Sequence, residues 1–335
     1  MKKLFWIIFA VTCTFLIITQ TAIIKSGIIM GFVYDSEARR LIIPKTPRLS
    51  LDISRIVQID EYIDLQYTFV LPGNFRRNFG EGTYIVDDDY LNRITVFTKN
   101  GYTHFRLHQQ RIMAYVIIED EDNIYIQAML PRNKYPRIVI IDPGHGGDND
   151  LGAVSNDLVE KEINLDISLR LAKLLESNDI KAYLTRTGDV GLSLEGRAEF
   201  ANGLGDLFIS VHNNASHRTS VHGTETFFVS GEDYGETDLR NRRAAQIIHR
   251  NVRETLGSMD RRTRERRFRV LVLTEMPAVL VEFGFITNPD EAAKLETEAY
   301  RQKCAEGVLK GILEIFEEYT PYRQRAATPD EEMAL

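Results

Sequence analysis

One apolar run constrains the fold of this chain more than any other feature. Residues 138–141 are all β-branched, and such a run is typical of a strand that is covered on both faces of a parallel sheet. A helical spacing of apolar residues follows at 160–176, and further strand patterns lie at 181–184, 207–211 and 279–283. This alternation predicts an α/β fold in which a central, mostly parallel sheet is flanked by helices.

The segment before this run has a different pattern. Stretches at 62–70, 93–97 and 124–130 alternate β-branched or aromatic residues with polar ones, and Asn100-Gly101 is a turn signal between the last two. We therefore predict a small antiparallel β-domain at 51–132. His104 and His108 are four residues apart within it, and we interpret them as surface residues because strand spacing alone does not make a metal site.

The remaining domain boundaries follow from the same patterns. We predict a linker at 26–50, the α/β domain at 137–319 and a disordered tail at 320–335.

The formal net charge of −7 argues against a nucleic-acid partner, since binding to a phosphate backbone needs a cationic surface. Cys13 and Cys304 lie far apart in the chain, so we expect no disulfide framework.

The N-terminal 25 residues carry a membrane signal. Lys2 and Lys3 precede an apolar stretch at 4–24, which has about the length that a helix needs to cross the hydrocarbon of a bilayer. We predict an uncleaved transmembrane anchor with its N-terminus in the cytoplasm and the rest of the chain outside. The alternatives are a cleaved signal peptide, which would make the protein secreted, and a buried core helix.

Two histidines follow buried strand patterns. His145 lies in Asp142-Pro143-Gly144-His145-Gly146-Gly147, where glycines on both sides let the backbone turn sharply and leave the imidazole accessible. His212 directly follows the strand pattern at 207–211, whereas its competitors His217 and His222 lie farther into the next loop. In an open α/β sheet both strand ends face one crevice, so His145 and His212 can converge there.

Two glutamates complete the constellation. Glu160 opens the predicted helix, where it could simply complement the helix dipole, but two imidazoles and one carboxylate form the ligand set of catalytic zinc. Glu282 lies within an apolar strand pattern, where burial would raise its pKa and suit it to act as a general base. The alternative for Glu282 is a buried ion pair with Arg186 or Arg197.

These motifs occur in an order that resembles the zinc-dependent N-acetylmuramoyl-L-alanine amidases, a family of bacterial cell-wall hydrolases. The resemblance covers about 137–319, and it implies zinc bound by His145, Glu160 and His212, with Glu282 as the catalytic base. The matching segments are Asp142-Pro143-Gly144-His145-Gly146-Gly147, Glu160-Lys161, Asn164-Leu165, Ser210-Val211-His212-Asn213-Asn214-Ala215 and Val281-Glu282-Phe283-Gly284.

The resemblance implies a substrate and partners. The expected reaction is hydrolysis of the amide bond between N-acetylmuramic acid and L-alanine in peptidoglycan by zinc-activated water, which serves cell-wall remodelling. The β-rich segment loosely resembles the AMIN modules of such enzymes and could contact an envelope or division partner. The alternatives are a zinc carboxypeptidase that acts on the stem peptide and a non-catalytic envelope-binding protein.

A basic run at 261–269 contains six arginines and one glutamate. Such a cationic patch could hold anionic wall polymers or lipid headgroups. We interpret it as a solvated loop, which is the commoner role of such a run.

Overall fold

The computed structural model describes residues 28–29, 31–47, 49, 51–230 and 236–318. The chain divides into two compact units between Lys134 and Tyr135. The predicted anchor at 1–25 and the predicted tail at 320–335 lie outside the described residues. Within the described ranges, no helix has both the length and the apolar character needed to span a bilayer.

The first unit is built from ten strands, two short α-helices and two 3-10 helices among its described residues. The strands form two five-stranded sheets with the orders β1-β2-β3-β10-β9 and β4-β5-β8-β7-β6, and the strand pairs within both are antiparallel. In chain order the elements are β1 (Ile28–Ile29), β2 (Phe32–Asp35), β3 (Arg40–Pro44), β4 (Val57–Glu61), β5 (Gln66–Leu71), α1 (Arg76–Phe79), β6 (Gly82–Ile85), β7 (Leu91–Lys99), β8 (Tyr102–Gln109), β9 (Ala114–Glu119), β10 (Asn123–Met129) and α2 (Pro131–Lys134).

The range that we expected to be a linker, 26–50, instead contains β1, β2 and β3. β3 pairs with β10 from Arg40 to Pro44, so this segment completes a sheet of the first unit. The physical reason is an alternation that the linker interpretation overlooked: Phe32, Leu41 and Ile43 are buried, while their neighbours are less so. The prediction of a linker there was wrong.

Two further details of the first unit follow from backbone conformation. Asn100 and Gly101 both have positive φ, 52° and 81°, and they join β7 to β8 as the hairpin turn that this residue pair favours. The predicted strand at 62–70 is interrupted, because Leu65 has a φ of 51° after a short 3-10 helix at Tyr62–Asp64. Only its second part is strand, as β5.

The second unit alternates strands and helices. In chain order its described elements are β11 (Ile138–Pro143), β12 (Val154–Ser155), β13 (Leu158–Val159), α3 (Glu160–Glu176), β14 (Lys181–Leu184), α4 (Leu194–Ala201), β15 (Leu207–Asn214), β16 (Thr224–Phe228), α5 (Glu236–Leu256), β17 (Asp260–Glu265), α6 (Arg269–Leu273), β18 (Ala278–Phe285), α7 (Pro289–Leu295) and α8 (Glu298–Glu318).

Six of these strands form the central sheet, in the order β14-β11-β15-β18-β16-β17. The pairs from β14 to β18 are parallel, and β16 runs antiparallel to β18. Apolar side chains of the helices, such as Ile167 in α3, Ile248 in α5 and Ile312 in α8, pack with the strands in one fully buried core. The α/β prediction is therefore confirmed, with a mostly parallel sheet flanked by helices.

The basic run is more ordered than the solvated loop that we expected. Residues 260–265 form β17, which pairs in parallel with β16, and α6 begins at Arg269. Backbone pairing to β16 accounts for the difference, because a strand at the edge of a sheet can keep its charged side chains in water. Arg261, Arg262 and Arg264 thus lie on the edge strand of the central sheet, and the other three arginines follow it.

Candidate metal centre and active site

The carboxyl ends of two neighbouring parallel strands bring His145 and His212 together. β11 and β15 pair up to Pro143 and Val211, and each histidine lies just beyond that pair. The two imidazole rings are 4.9 Å apart between centroids and nearly perpendicular, at 80°. Both side chains therefore face one crevice at the edge of the sheet.

Glu160 lies between the two imidazoles. Its Oε1 atom is 3.3 Å from His145 Nε2 and 3.0 Å from His212 Nδ1. The potential ligand atoms of His145, Glu160 and His212 all lie within 4.8 Å of one another, which is close enough for one metal ion. Nitrogen and oxygen donors from three residues leave a fourth position for water or substrate, as in catalytic zinc sites.

Hydrogen bonds hold the Glu160 carboxylate in place. Oε2 accepts from the Ala153 backbone N–H at 2.8 Å, and Oε1 accepts from the Asn213 backbone N–H and from the Asn164 side chain, each at 3.2 Å. Burial by itself raises the pKa of Glu160, but hydrogen bonds from His145 and His212 outweigh it, and the pKa falls well below its usual range. The carboxylate is thus ionised, as a metal ligand must be.

The loop that carries His145 has positive φ angles and a close contact with His212, and both depend on its glycines. His145 itself has a φ of 62°, and Gly146 and Gly147 have φ values of 139° and 71°. Gly144 lies against the His212 ring, because a Cβ atom at this position would be 2.2 Å from His212 Cε1. The glycines therefore allow the turn and the close approach of the two imidazoles.

Gly144→Ala is expected to displace His212 and weaken metal binding while the fold persists. The added methyl group overlaps the ring of His212, whose position beside Glu160 then has to change. Zinc affinity measured by competition with a chromogenic chelator should fall by at least about 10-fold. Gly188→Ala is a suitable control, since no atom lies within 4 Å of a Cβ added there. An unchanged affinity in Gly144→Ala would contradict this expectation.

Two buried arginines support the same loop through its carbonyl oxygens. Arg186 donates to Pro143 O and Gly144 O, each at 3.0 Å, and Arg197 donates to Pro143 O and His145 O, each at 2.8 Å. Arg197 also pairs with Asp142 at 2.8 Å. Both guanidinium groups are therefore used by the loop, and the structure does not support our alternative of an ion pair with Glu282.

Glu282 lies on the strand next to His212. The two residues are cross-strand partners in the β15–β18 pair, and Glu282 is 9% exposed. Its Oε2 atom is buried without a hydrogen-bond partner among the described residues. Burial, together with the nearby carboxylates of Glu160 and Glu225, raises the pKa of Glu282 well above its ordinary value of 4.5. An unpartnered buried carboxylate on the strand next to His212 is an arrangement suited to proton transfer.

The raised pKa of Glu282 predicts a pH-dependent stability of the metal-free protein. Between pH 4.5 and the folded-state pKa, the folded chain binds a proton that the unfolded chain lacks, so this group lowers stability as pH rises. Glu282→Gln removes that contribution. We expect the variant to melt at a higher temperature than the wild type at pH 8, by at least about 2 °C, and at nearly the same temperature near pH 4. A constant difference across this range of pH would refute the expectation.

The other histidines considered in the sequence lie apart from the metal cluster. His222 Nδ1 is 3.0 Å from Ser220 O, and His217 lies near the groove beside Glu282. His104 stacks on Phe97 with 4.7 Å between ring centroids, and His108 Nε2 is 3.1 Å from Thr95 Oγ1. None of these four belongs to the three-residue group found among the described residues.

Sequence reasoning missed two acidic residues of the site. Asp150 contacts His145 Nδ1 at 2.6 Å and thereby orients the ring so that Nε2 faces Glu160. Glu225 is the cross-strand partner of Glu282 on β16 and is buried. Asp150 gave no signal in its polar loop, whereas an acid inside the strand pattern at 224–228 could have identified Glu225.

The fold and the site together define a class of protein. A mostly parallel sheet presents a His-Glu-His cluster at its carboxyl edge, and a buried carboxylate lies on the next strand. This arrangement is that of a hydrolase with a mostly parallel α/β sheet, a candidate metal centre and an acid–base residue.

Comparison with known proteins identifies the family. The family model described as N-acetylmuramoyl-L-alanine amidase matches residues 139–314, more than half of the chain. The chain belongs to this family. The amidase AmiA of Escherichia coli is 30% identical over a match that covers 61% of this chain and 86% of AmiA. The crystal structure of an N-acetylmuramoyl-L-alanine amidase from Clostridium difficile is 35% identical, with a TM-score of 0.51, and the match covers 55% of this chain and 98% of that chain.

The match to a larger relative is partial. The amidase LytC of Bacillus subtilis is 37% identical over 179 residues, and the match covers 53% of this chain but only 35% of LytC. The family match at 139–314 lies in the second unit, which contains the His-Glu-His cluster and Glu282.

Proposed function

We propose that the second unit hydrolyses the amide bond between N-acetylmuramic acid and L-alanine in peptidoglycan, with His145, Glu160 and His212 as zinc ligands. One observation carries the proposal: three ligand atoms lie within 4.8 Å of one another, and Glu282 is the cross-strand partner of His212. Membership of the amidase family supports the amide bond of peptidoglycan as the substrate.

The residues present fit a zinc ion. Zinc accepts two imidazole nitrogens and one carboxylate oxygen in catalytic sites, and Cys304, the one free cysteine of the described residues, is buried elsewhere in the core. Asp150 contacts the outward nitrogen of His145, as a carboxylate does in many zinc sites. A bound zinc ion would supply a Lewis acid that polarises the scissile carbonyl and activates water.

Glu282 is the residue that moves the proton. Its buried carboxylate has a raised pKa, which makes it a stronger base toward the attacking water than an exposed carboxylate is. It then delivers the proton taken from this water to the departing nitrogen of L-alanine, which would otherwise leave as an unstable anion. Glu160 keeps its negative charge throughout, because its pKa is lowered by the two histidines. The two glutamates thus have different roles that their surroundings set.

Muropeptide analysis tests the proposed reaction. Purified sacculi are digested with the full-length chain, with and without a zinc chelator, and the products are identified by mass spectrometry. An amidase releases peptides that begin with L-alanine and leaves glycan strands with free lactyl groups. A carboxypeptidase would shorten stems that stay attached, and a non-catalytic binding protein would release nothing. Either of these two outcomes would overturn the proposed function.

We also propose that the catalytic unit works outside the cytoplasm, on a chain that residues 1–25 tether to the membrane. The support is the sequence alone: Lys2, Lys3 and the apolar stretch that follows them. The first unit, with its two antiparallel sheets, is proposed to act as an AMIN-like module that contacts an envelope or division partner. Membrane fractionation with protease accessibility tests the first proposal, and co-purification with the first unit deleted tests the second.

A further inference from the structure

An open groove adjoins Glu282 on the side away from β11. It has a volume of about 920 Å³ and extends from Glu282 and Phe285 to the edge strand β17. Three arginines of the basic run, Arg261, Arg264 and Arg266, line it together with Arg218 from the segment after β15. The groove therefore joins the proposed base to a concentration of positive charge.

Glu225 lies between Glu282 and two of these arginines, Arg261 and Arg264. Glu225 is the cross-strand partner of Glu282, and its Oε1 atom is 3.1 Å from Arg261 Nε and 3.3 Å from Arg264 Nη2. Asn214 donates to Glu225 Oε2 at 2.9 Å. The Arg261 guanidinium also lies over the Phe285 ring, 5.0 Å from its centroid. The buried Glu225 thus fixes two guanidinium groups before any ligand binds.

The arginines carry more charge than the site itself neutralises. Four arginines line the groove together with three carboxylates, those of Glu225, Glu265 and Glu282, and the Arg264 side chain remains 52% exposed. Within the described residues, no ion pair involves the side chain of Arg218 or Arg266. Guanidinium groups that are held in place and accessible bind carboxylates through paired N–H donors. The groove is therefore suited to an anionic group of a ligand.

The reaction places the stem peptide on this side, and this step rests on the proposed function. Glu282 delivers its proton to the L-alanine nitrogen, so the peptide that departs begins next to Glu282. The two histidine ligands lie at the ends of β11 and β15, on one side of Glu282, and the groove extends to β16 and β17 on the other side. A stem peptide bears free carboxylates after its first residue, and an extended peptide spans about 3.3–3.6 Å per residue.

We propose that Arg218, Arg264 and Arg266 form a carboxylate-binding subsite for the stem peptide, with Arg261 and Glu225 as its support. The subsite recognises a carboxylate of the leaving peptide and selects against stems in which this group is an amide. The enzyme therefore discriminates between stems that carry a free carboxylate and stems that carry an amide at the same position.

Paired substrates test the subsite. Soluble muramyl peptides with all stem carboxylates free are compared with peptides in which one carboxylate at a time is an amide. For one of these positions, the wild-type full-length enzyme should lose about 10-fold in kcat/KM on amidation. Arg266→Gln and Arg264→Gln should each lose a similar factor on the free carboxylate but less than about 2-fold on that amidated peptide. The position at which amidation and the arginine substitutions have the same, non-additive effect is the stem carboxylate that the subsite binds.

Arg267→Gln is the matched control, because Arg267 is exposed in the same run but does not line the groove. It should retain wild-type kcat/KM on every peptide.

The subsite is refuted if the wild type cleaves free and amidated peptides equally well, or if the Arg264 and Arg266 variants lose activity on both alike. Loss of sacculus binding with unchanged kcat/KM on soluble peptides would also refute it, and would indicate an anionic wall polymer as the ligand. If the wild type releases no peptide that begins with L-alanine, the proposed function itself fails.

Discussion

Glu282→Gln is expected to abolish turnover while the protein keeps its fold and its metal. The amide has nearly the size of the carboxylate but cannot accept a proton from water, and general base catalysis contributes about 10²–10⁴-fold to a rate. The three candidate ligands His145, Glu160 and His212 are unchanged, so zinc should remain bound. The measurements are kcat on a soluble muramyl peptide and the zinc content by atomic absorption.

Glu265→Gln is the control for this substitution, since Glu265 lines the same groove but lies exposed on the edge strand β17. It removes the same charge from the groove and should leave kcat within about 3-fold of the wild type. If Glu282→Gln retained near-normal turnover with full zinc content, Glu282 would not be the base. If it lost zinc as well, its role would be in metal binding.

Glu160→Gln is expected to remove zinc and, with it, activity. The substitution deletes the only formal negative charge among the three candidate ligands and puts an amide that can donate hydrogen bonds between His145 and His212. Loss of a residue that merely orients a ligand weakens metal binding by about 10–100-fold, so loss of a ligand should exceed about 100-fold. Competition with a chromogenic chelator measures the affinity, and circular dichroism checks the fold.

Glu162→Gln is the matched control, because Glu162 lies in the same first turn of α3 with its side chain exposed. It should bind zinc and cleave muramyl peptides as the wild type does. Zinc affinity within about 3-fold of the wild type in Glu160→Gln would mean that the carboxylate is not a ligand. Added zinc should restore activity to the chelated wild type but not to Glu160→Gln.

The two substitutions also separate activity from stability. Glu282 is buried with an unpartnered oxygen and a raised pKa, so its charged form is destabilising and its replacement should stabilise the metal-free fold. Glu160 accepts three hydrogen bonds from the surrounding chain, from Ala153, Asn164 and Asn213, so its replacement should destabilise the crevice. Melting temperatures of the metal-free variants should therefore move in opposite directions.

Much of the second unit could be predicted because its signals are local. The β-branched run of β11 and the apolar spacing of α3 express burial directly, and α3 has the predicted limits Glu160–Glu176. The first unit was harder, since the alternation in β2 and β3 covers only four and five residues. β1 to β3 are short, and β3 pairs with β10, about 80 residues later in the chain, which no local rule indicates.

The basic run shows the same limit. Its charge was evident, but whether it formed a loop or a strand depended on pairing with β16, which the run itself does not encode. The role of Glu225 likewise depends on two partners from β17, Arg261 and Arg264, and on one from β15, Asn214.

The sequence by itself determined the α/β class of the second unit and the residue types of the site, because periodicity and motif chemistry are local properties. Tertiary structure alone decided which groups meet. It brought His145, Glu160 and His212 within 4.8 Å, assigned Arg186 and Arg197 to the loop carbonyls rather than to Glu282, and placed Glu225 between the proposed base and the arginines. The physical reason is that strand order and register are set by the packing of the whole sheet, and a residue's partners follow from them.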